Sequence, residues 1–336
     1  MTGGGDCPGL NAAIRAAVMR LLDYDHETVG ISRGWLGLIE GLSEPLTLER
    51  VDDIISKGGT ILGSSRTNPL KKNEDLDKCL NNVKSLGLDA IVAMGGDDTL
   101  GVAVNLQKLG TKTVGIPKTM DNDLAETDYT FGFDTAVSVA VDAVDRLRDT
   151  ARSHQRVMVL EVMGRHAGWV ALYTAIAGGA DWALIPEVTP DLDEMCNHLV
   201  KVRARGKPYS IVVASEGIDL PQADEEGISV DAFGHVILRE RGVGDFLAKE
   251  IESRTGFETR SAVLGHIQRG GSPTVFDRVL ATRLGLKAAE MVNAGEFGKM
   301  SAIQANQIVS VDMERAISEL KTVPIELYEE AKLLFR

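Results

Sequence analysis

Four carboxylates in two short stretches are the side chains best placed to do chemistry: Gly95-Gly96-Asp97-Asp98-Thr99 and Pro117-Lys118-Thr119-Met120-Asp121-Asn122-Asp123. Each stretch leaves an apolar run, residues 89–94 and 111–116, whose composition predicts a buried parallel strand. The first then enters a helical pattern over residues 99–109. A glycine turn between strand and helix, here at Gly96, lets backbone N–H groups reach phosphate oxygens, and the helix N-terminus adds a favourable dipole. Carboxylates alone repel phosphate. Asp97, Asp121 and Asp123 make sense if a divalent cation and a proton transfer are also involved, which implies phosphoryl transfer. A second glycine turn, with Gly4 and Gly5, runs into a helical pattern over residues 12–22, so two turns could hold the two ends of a polyphosphate.

The elements around these motifs alternate. Strands are predicted at residues 29–32, 156–162, 182–185, 209–214 and 261–264. Helices are predicted at 48–56, 73–86, 134–151, 168–177, 190–204, 244–254 and 275–294. Thr189 and Pro190 read as the start of one helix, and Gly256 and Gly295 as the stops of two others. Such alternation means an α/β fold with parallel sheets, where ligands bind beyond the carboxyl ends of the strands. The stretch 216–242 is acidic and turn-rich and reads as a surface excursion.

With 336 residues, two domains are the default. A net charge of -13 argues against a nucleic-acid partner, so an anionic ligand needs a focused cluster of cations. Cys7, Cys79 and Cys196 are odd in number and far apart, which predicts reduced thiols in a cytoplasmic protein. No run of about 18 apolar residues and no signal-peptide pattern is present, so no membrane partner is expected. The required cations recur at turns and strand ends. Arg66 follows Gly63-Ser64-Ser65, Arg165 and His166 follow Met163-Gly164, and His266 and Arg269, with the uncharged Gln268 beside them, follow Gly265. Arg156 sits at the opposite end of its strand from Arg165, and if functional it reaches a neighbouring subunit's site.

The segments GGGDCPGLNAAIR, GGTILGSSR, GGDDTLGVA, PKTMDND, EVMGRHAGW and TRSAVLGHIQRGGSP resemble, in order, those of the 6-phosphofructokinase family. The resemblance implies two stacked Rossmann-like three-layer α/β/α domains with mainly parallel sheets. It also implies transfer of a phosphoryl group to the 1-hydroxyl of fructose 6-phosphate, with Mg²⁺, in a homodimer or homotetramer. Residues 1–133 with about 268–318 would form the domain for donor and Mg²⁺, and 134–267 with about 319–336 the domain for the sugar. Asp121 would be the general base, with Thr119 and Asp123 holding the sugar, and Asp97 would lie beside the metal. Gly4, Gly5, Gly96, Asp98 and Thr99 would line the donor side, with Arg66 offsetting charge during transfer. Met163, Gly164, Arg165, Glu216, His266 and Arg269 would form the sugar pocket, and Arg156 and Arg260 would reach the 6-phosphate from an adjacent subunit.

Asp98 and Lys118 replace the small residues of ATP-using members, as in members that use pyrophosphate. A carboxylate at 98 would crowd and repel the rest of ATP, and Lys118 suits the compact charge of a leaving phosphate, so the donor expected is pyrophosphate and the reaction reversible. The alternatives are an ATP-dependent phosphofructokinase, in which Asp98 and Lys118 form a simple ion pair, and a non-catalytic regulatory subunit. The resemblance also implies an apolar strand directly before the first glycine turn, where only Met1 and Thr2 stand, so the sequence is expected to lack the true N-terminus.

Overall fold

The structure is a computed structural model describing residues 1–220, 233 and 242–335. Most of the acidic excursion expected at 216–242 lies outside the described residues. Ten strands occur among those described. They are β1 Val29–Ile31, β2 Ser43–Pro45, β3 Ile91–Gly95, β4 Thr113–Pro117, β5 Val157–Val162, β6 Trp182–Leu184, β7 Ser210–Ser215, β8 Thr259–Val263, β9 Lys299–Gln304 and β10 Gln307–Asp312. The chain forms two compact α/β units. One holds Met1–Asp134, Phe233 and Arg269–Leu320, and the other holds the described residues 135–220, 242–268 and 321–335.

In the first unit, a sheet of order β10-β9-β4-β3 is parallel except for β10, and β1 and β2 pair separately. Every residue of β4 is buried, as expected of a strand covered on both faces. Trp35, Leu38, Leu100, Leu106, Met300 and Met313 fill the core. The helices Leu10–Asp23 and Val275–Ala294 pack closely enough that a methyl group on Gly285 would lie 2.5 Å from the Ala13 carbonyl oxygen. Residues 1–3 run along the outer edge of β3. The Met1 ammonium donates to the Val92 carbonyl (2.9 Å), and the Met94 and Gly3 amides donate to Met1 and Met94 (3.0 Å each). Burial pushes that ammonium down to about 5, and beside it lies a cavity of about 620 Å³ lined by Ile14, Val18, Leu21, Leu62 and Ile91.

In the second unit, β6-β7-β5-β8 form a fully parallel sheet. β5 and β7 are buried along their whole length, so they are its central strands, and the helix Trp169–Gly178 packs its apolar surface within this unit. Parallel strands share one carboxyl edge, where residues 163–165, Glu216 and residues 264–266 emerge from β5, β7 and β8.

Several elements depart from the periodicity. The helix expected from Pro190 begins at Leu192, because the Asp191 carboxylate accepts the Glu194 amide (2.8 Å) and is the cap. The helix expected over 48–56 stops at Val51. Beyond it the Asn11 amide donates to the Lys57 and Gly58 carbonyls and its oxygen accepts the Ile61 amide, pulling the chain into an irregular path. The β9–β10 hairpin has no expected counterpart. Its turn places Ala305 and Asn306 in the left-handed region (φ 46° and 66°), without the Asn-Gly pair that marks such turns. Helices at Gly34–Glu40, Met313–Ser318 and Ile325–Lys332 are also additional to the reading.

Candidate active site

In the first unit, two glycine turns converge on one buried threonine. A methyl group on Gly3 would lie 2.7 Å from the Thr99 hydroxyl, and one on Gly95 would lie 2.2 Å from Thr99 Cβ. Thr99 is 2% exposed, so it forms the floor beneath both turns. Gly96 is the extended residue before the helix Asp97–Lys108, whose first turn presents Asp97 and Asp98. Ser64 and Ser65 bind the first turn directly. The Gly4 amide donates to the Ser65 carbonyl (3.1 Å) and the Ser64 hydroxyl to the Gly4 carbonyl (2.5 Å), which sets Arg66 beside the loop.

The segment after β4 is locked by its own side chains. The Lys118 amide continues the ladder to the Gly95 carbonyl (3.0 Å), and its ammonium, 4% exposed and pulled down chiefly by burial, donates to the Gly5 carbonyl. The Thr119 hydroxyl accepts the Asp121 amide (3.1 Å). Asn122, in the left-handed region at φ 53°, accepts the Thr130 amide (3.1 Å), and the Thr130 hydroxyl donates to the Thr119 carbonyl (2.7 Å). These bonds place Asp121 without using its carboxylate, while the Asp123 carboxylate accepts from the Thr119 side chain and from its own backbone amide. Burial first, then the charges of Asp121 and Asp97, push Asp123 up to about 7. Asp121 is 6% exposed and its buried Oδ1 has no hydrogen-bond partner. Among the described residues no three His, Cys, Asp or Glu side chains form a ready-made metal cage. Mutually repelling carboxylates and an orphaned buried oxygen nevertheless fit a cation that takes its remaining ligands from phosphate oxygens and water.

In the second unit, the sugar-side candidates share the carboxyl edge. Met163 follows β5, and its amide donates to Gln268 Oε1 (2.8 Å); the Gln268 amide group donates to the Ala136 carbonyl (3.4 Å). Gly164 and Arg165 follow with φ 144° and 31°, and Glu216 follows β7, its amide donating to the Val162 carbonyl (2.9 Å). His266 stands exposed beyond β8. Three residues the sequence reading left without a role organise this edge. Gln268 is fully buried and fixes the Met163 amide. Glu161 accepts the Gly244 amide (2.6 Å) at the start of the helix Val243–Thr255. Gly217 lies so close to the Arg165 carbonyl that a methyl group there would sit 1.4 Å from its oxygen. Only the Glu-Gly pair directly after an apolar strand hinted at the last.

Three expected sugar-side residues lie off this edge. Arg269 belongs to the first unit, where its guanidinium donates to the Asp6 carbonyl (3.0 Å). Arg156 and Arg260 lie at the amino edge of β5 and β8 and share one carboxylate, that of Glu258 (2.8 and 2.7 Å).

The phosphofructokinase family model matches residues 1–292. A Dictyoglomus thermophilum protein named pyrophosphate–fructose 6-phosphate 1-phosphotransferase is 55% identical over 339 residues, covering 100% of this chain and 97% of its own. A Streptomyces coelicolor protein named ATP-dependent 6-phosphofructokinase 3 is 48% identical over 338 residues, covering 99% and 98%. The crystal structure of Pichia pastoris phosphofructokinase in the T-state superposes with a TM-score of 0.83 at 31% identity, over 95% of this chain and 35% of that longer one. Glycine turns, acidic motif and parallel sheets thus coincide with a match spanning most of the sequence, and the chain belongs to the phosphofructokinase family.

Proposed function

We propose that the protein transfers a phosphoryl group reversibly between pyrophosphate and the 1-hydroxyl of fructose 6-phosphate, giving fructose 1,6-bisphosphate and phosphate. The observation that carries the donor assignment is Lys118, whose buried ammonium is held at the first glycine turn, beside the expected phosphates. Asp98 in the first turn of the neighbouring helix adds a negative charge where a nucleotide's further phosphate would extend. The 55% identical relative carries the pyrophosphate name, whereas the one named for ATP stands at 48%.

In this reading the first unit holds donor and metal and the second holds the sugar. Asp121 takes the proton from the 1-hydroxyl, its orphaned oxygen being the acceptor, and Thr119 and Asp123 orient sugar and base. Gly4, Gly5, Gly96 and Thr99 shape the phosphate cradle, and Arg66 offsets charge on the equatorial oxygens. Asp97 would hold Mg²⁺ together with donor oxygens, and the cation supplies charge neutralisation when bound. Met163, Gly164, Arg165, Glu216, His266 and Arg269 bind the sugar phosphate. Arg156 and Arg260 complete a neighbouring copy's site, so the working form is a homodimer or homotetramer, in the cytoplasm.

The test is formation of fructose 1,6-bisphosphate from fructose 6-phosphate and Mg²⁺ with pyrophosphate and ATP in parallel. Turnover with pyrophosphate and little with ATP is expected. Preference for ATP would remove the donor assignment, and no turnover with either would point to a regulatory subunit.

A further inference from the structure

Three consecutive carbonyls of the first glycine turn are each capped by a side chain from a different part of the chain. The Ser64 hydroxyl donates to Gly4 (2.5 Å), the Lys118 ammonium to Gly5, and the Arg269 guanidinium to Asp6 (3.0 Å). In a planar trans peptide, the N–H of the following residue points opposite the carbonyl. Fixing these three carbonyls therefore fixes the directions of the Gly5, Asp6 and Cys7 N–H groups. Successive N–H groups aimed to one side make an anion-binding concavity, whose strength depends on their being held before the ligand arrives. The fit leaves no slack. A methyl group on Gly5 would lie 2.6 Å from Arg269 Nη1, and Lys118 and Arg269 are 4% and 9% exposed.

We propose that Ser64, Lys118 and Arg269 act as a comb that orients the glycine-loop amides toward the donor phosphate, and that Ser64 is a positioning residue for donor binding. This rests on the phosphoryl-donor reading of that loop. Lys118 and Arg269 have further roles in that reading, so Ser64 isolates the comb. Ser65 supplies a matched control, because its hydroxyl donates instead to the Arg33 carbonyl (2.7 Å).

The experiment compares Ser64→Ala, Ser64→Thr and Ser65→Ala with the wild-type chain. KM is measured for pyrophosphate and for fructose 6-phosphate, and pyrophosphate with Mg²⁺ is titrated calorimetrically without sugar. Loss of one loop-orienting hydrogen bond should raise the donor KM and Kd about three- to tenfold in Ser64→Ala. The sugar KM should stay within twofold, Ser64→Thr should recover donor affinity, and Ser65→Ala should match wild type. Donor KM and Kd unchanged in Ser64→Ala, or equal losses in Ser64→Ala and Ser65→Ala, would overturn the inference. A wild-type preference for ATP would sink the pyrophosphate reading alone. The same split is then read on ATP, whose phosphates meet the same loop, and the same outcomes decide.

Discussion

Replacing Gly217 by alanine tests whether the carboxyl edge of β5 and β7 is built as a close backbone packing. The added methyl carbon would sit 1.4 Å from the Arg165 carbonyl oxygen and 2.5 Å from its carbonyl carbon, whereas ordinary contact begins at 3.4 Å. Neither neighbour is the far end of a flexible side chain, so one loop must retreat by about 2 Å. Arg165 already occupies the left-handed region at φ 31°, which leaves it little freedom to rotate away. Misplacing a binding group by about 1 Å can cost about 100-fold, so kcat/KM for fructose 6-phosphate should fall at least that far in Gly217→Ala. Overpacking should lower stability by about 1–3 kcal/mol. Donor affinity, measured by calorimetry with pyrophosphate, should hold, since every donor-side candidate belongs to the other unit. Gly101→Ala is the control. Its methyl group would meet only Ile317 at an ordinary 3.7 Å inside the helix Asp97–Lys108, so it should be neutral or slightly stabilising. A Gly217→Ala protein with wild-type sugar kinetics would refute the close-packing argument.

Asp121→Asn should lower kcat by about 10²–10⁴-fold while fructose 6-phosphate binding remains measurable by titration; unchanged turnover would remove Asp121 as base. Asp98→Gly combined with Lys118→Gly should shift donor preference from pyrophosphate toward ATP in a parallel rate assay, and no gain with ATP would count against the donor argument. Asp123 carries a raised value of about 7 against an ordinary 3.8, so the folded state favours its protonated form. Its contribution to stability is therefore present in full below about pH 4 and lost as pH rises through about 7, a change of a few kcal/mol at most. Urea unfolding of metal-free protein at pH 5 and pH 8 should show this loss, and Asp123→Asn should reduce it; an identical pH response in the variant would contradict the assignment.

Much of the fold was legible because parallel strands and amphipathic helices repeat on their own periods. β3 and β4 fall within a residue or two of the apolar runs at 89–94 and 111–116, and the helix Val275–Ala294 has the expected ends. What escaped depends on partners distant in sequence or on turns with unusual residues. Asn11 reshapes residues 57–61 from nearly fifty positions away, and the β9–β10 hairpin turns on Ala305 and Asn306. The same division runs through the candidate site. Glycine turns and carboxylates announce themselves by type and spacing. That Gln268 anchors the Met163 amide, that Glu258 lies between two arginines, and that Arg269 caps Asp6 are facts of tertiary contact that no local pattern encodes.

The placement of Arg156 and Arg260 has a consequence for mixtures of variants. They stand at the amino edge of β5, and Met163 to Arg165 stand at its carboxyl edge, six residues or about 20 Å away. No single sugar phosphate spans that strand, so a site using both sets draws them from two copies. A dimer of one Arg156→Ala chain and one Arg165→Ala chain then carries both lesions in one site and neither in the other. Random pairing makes half of all dimers mixed, each with one intact site, so two inactive proteins expressed together should return about a quarter of wild-type activity.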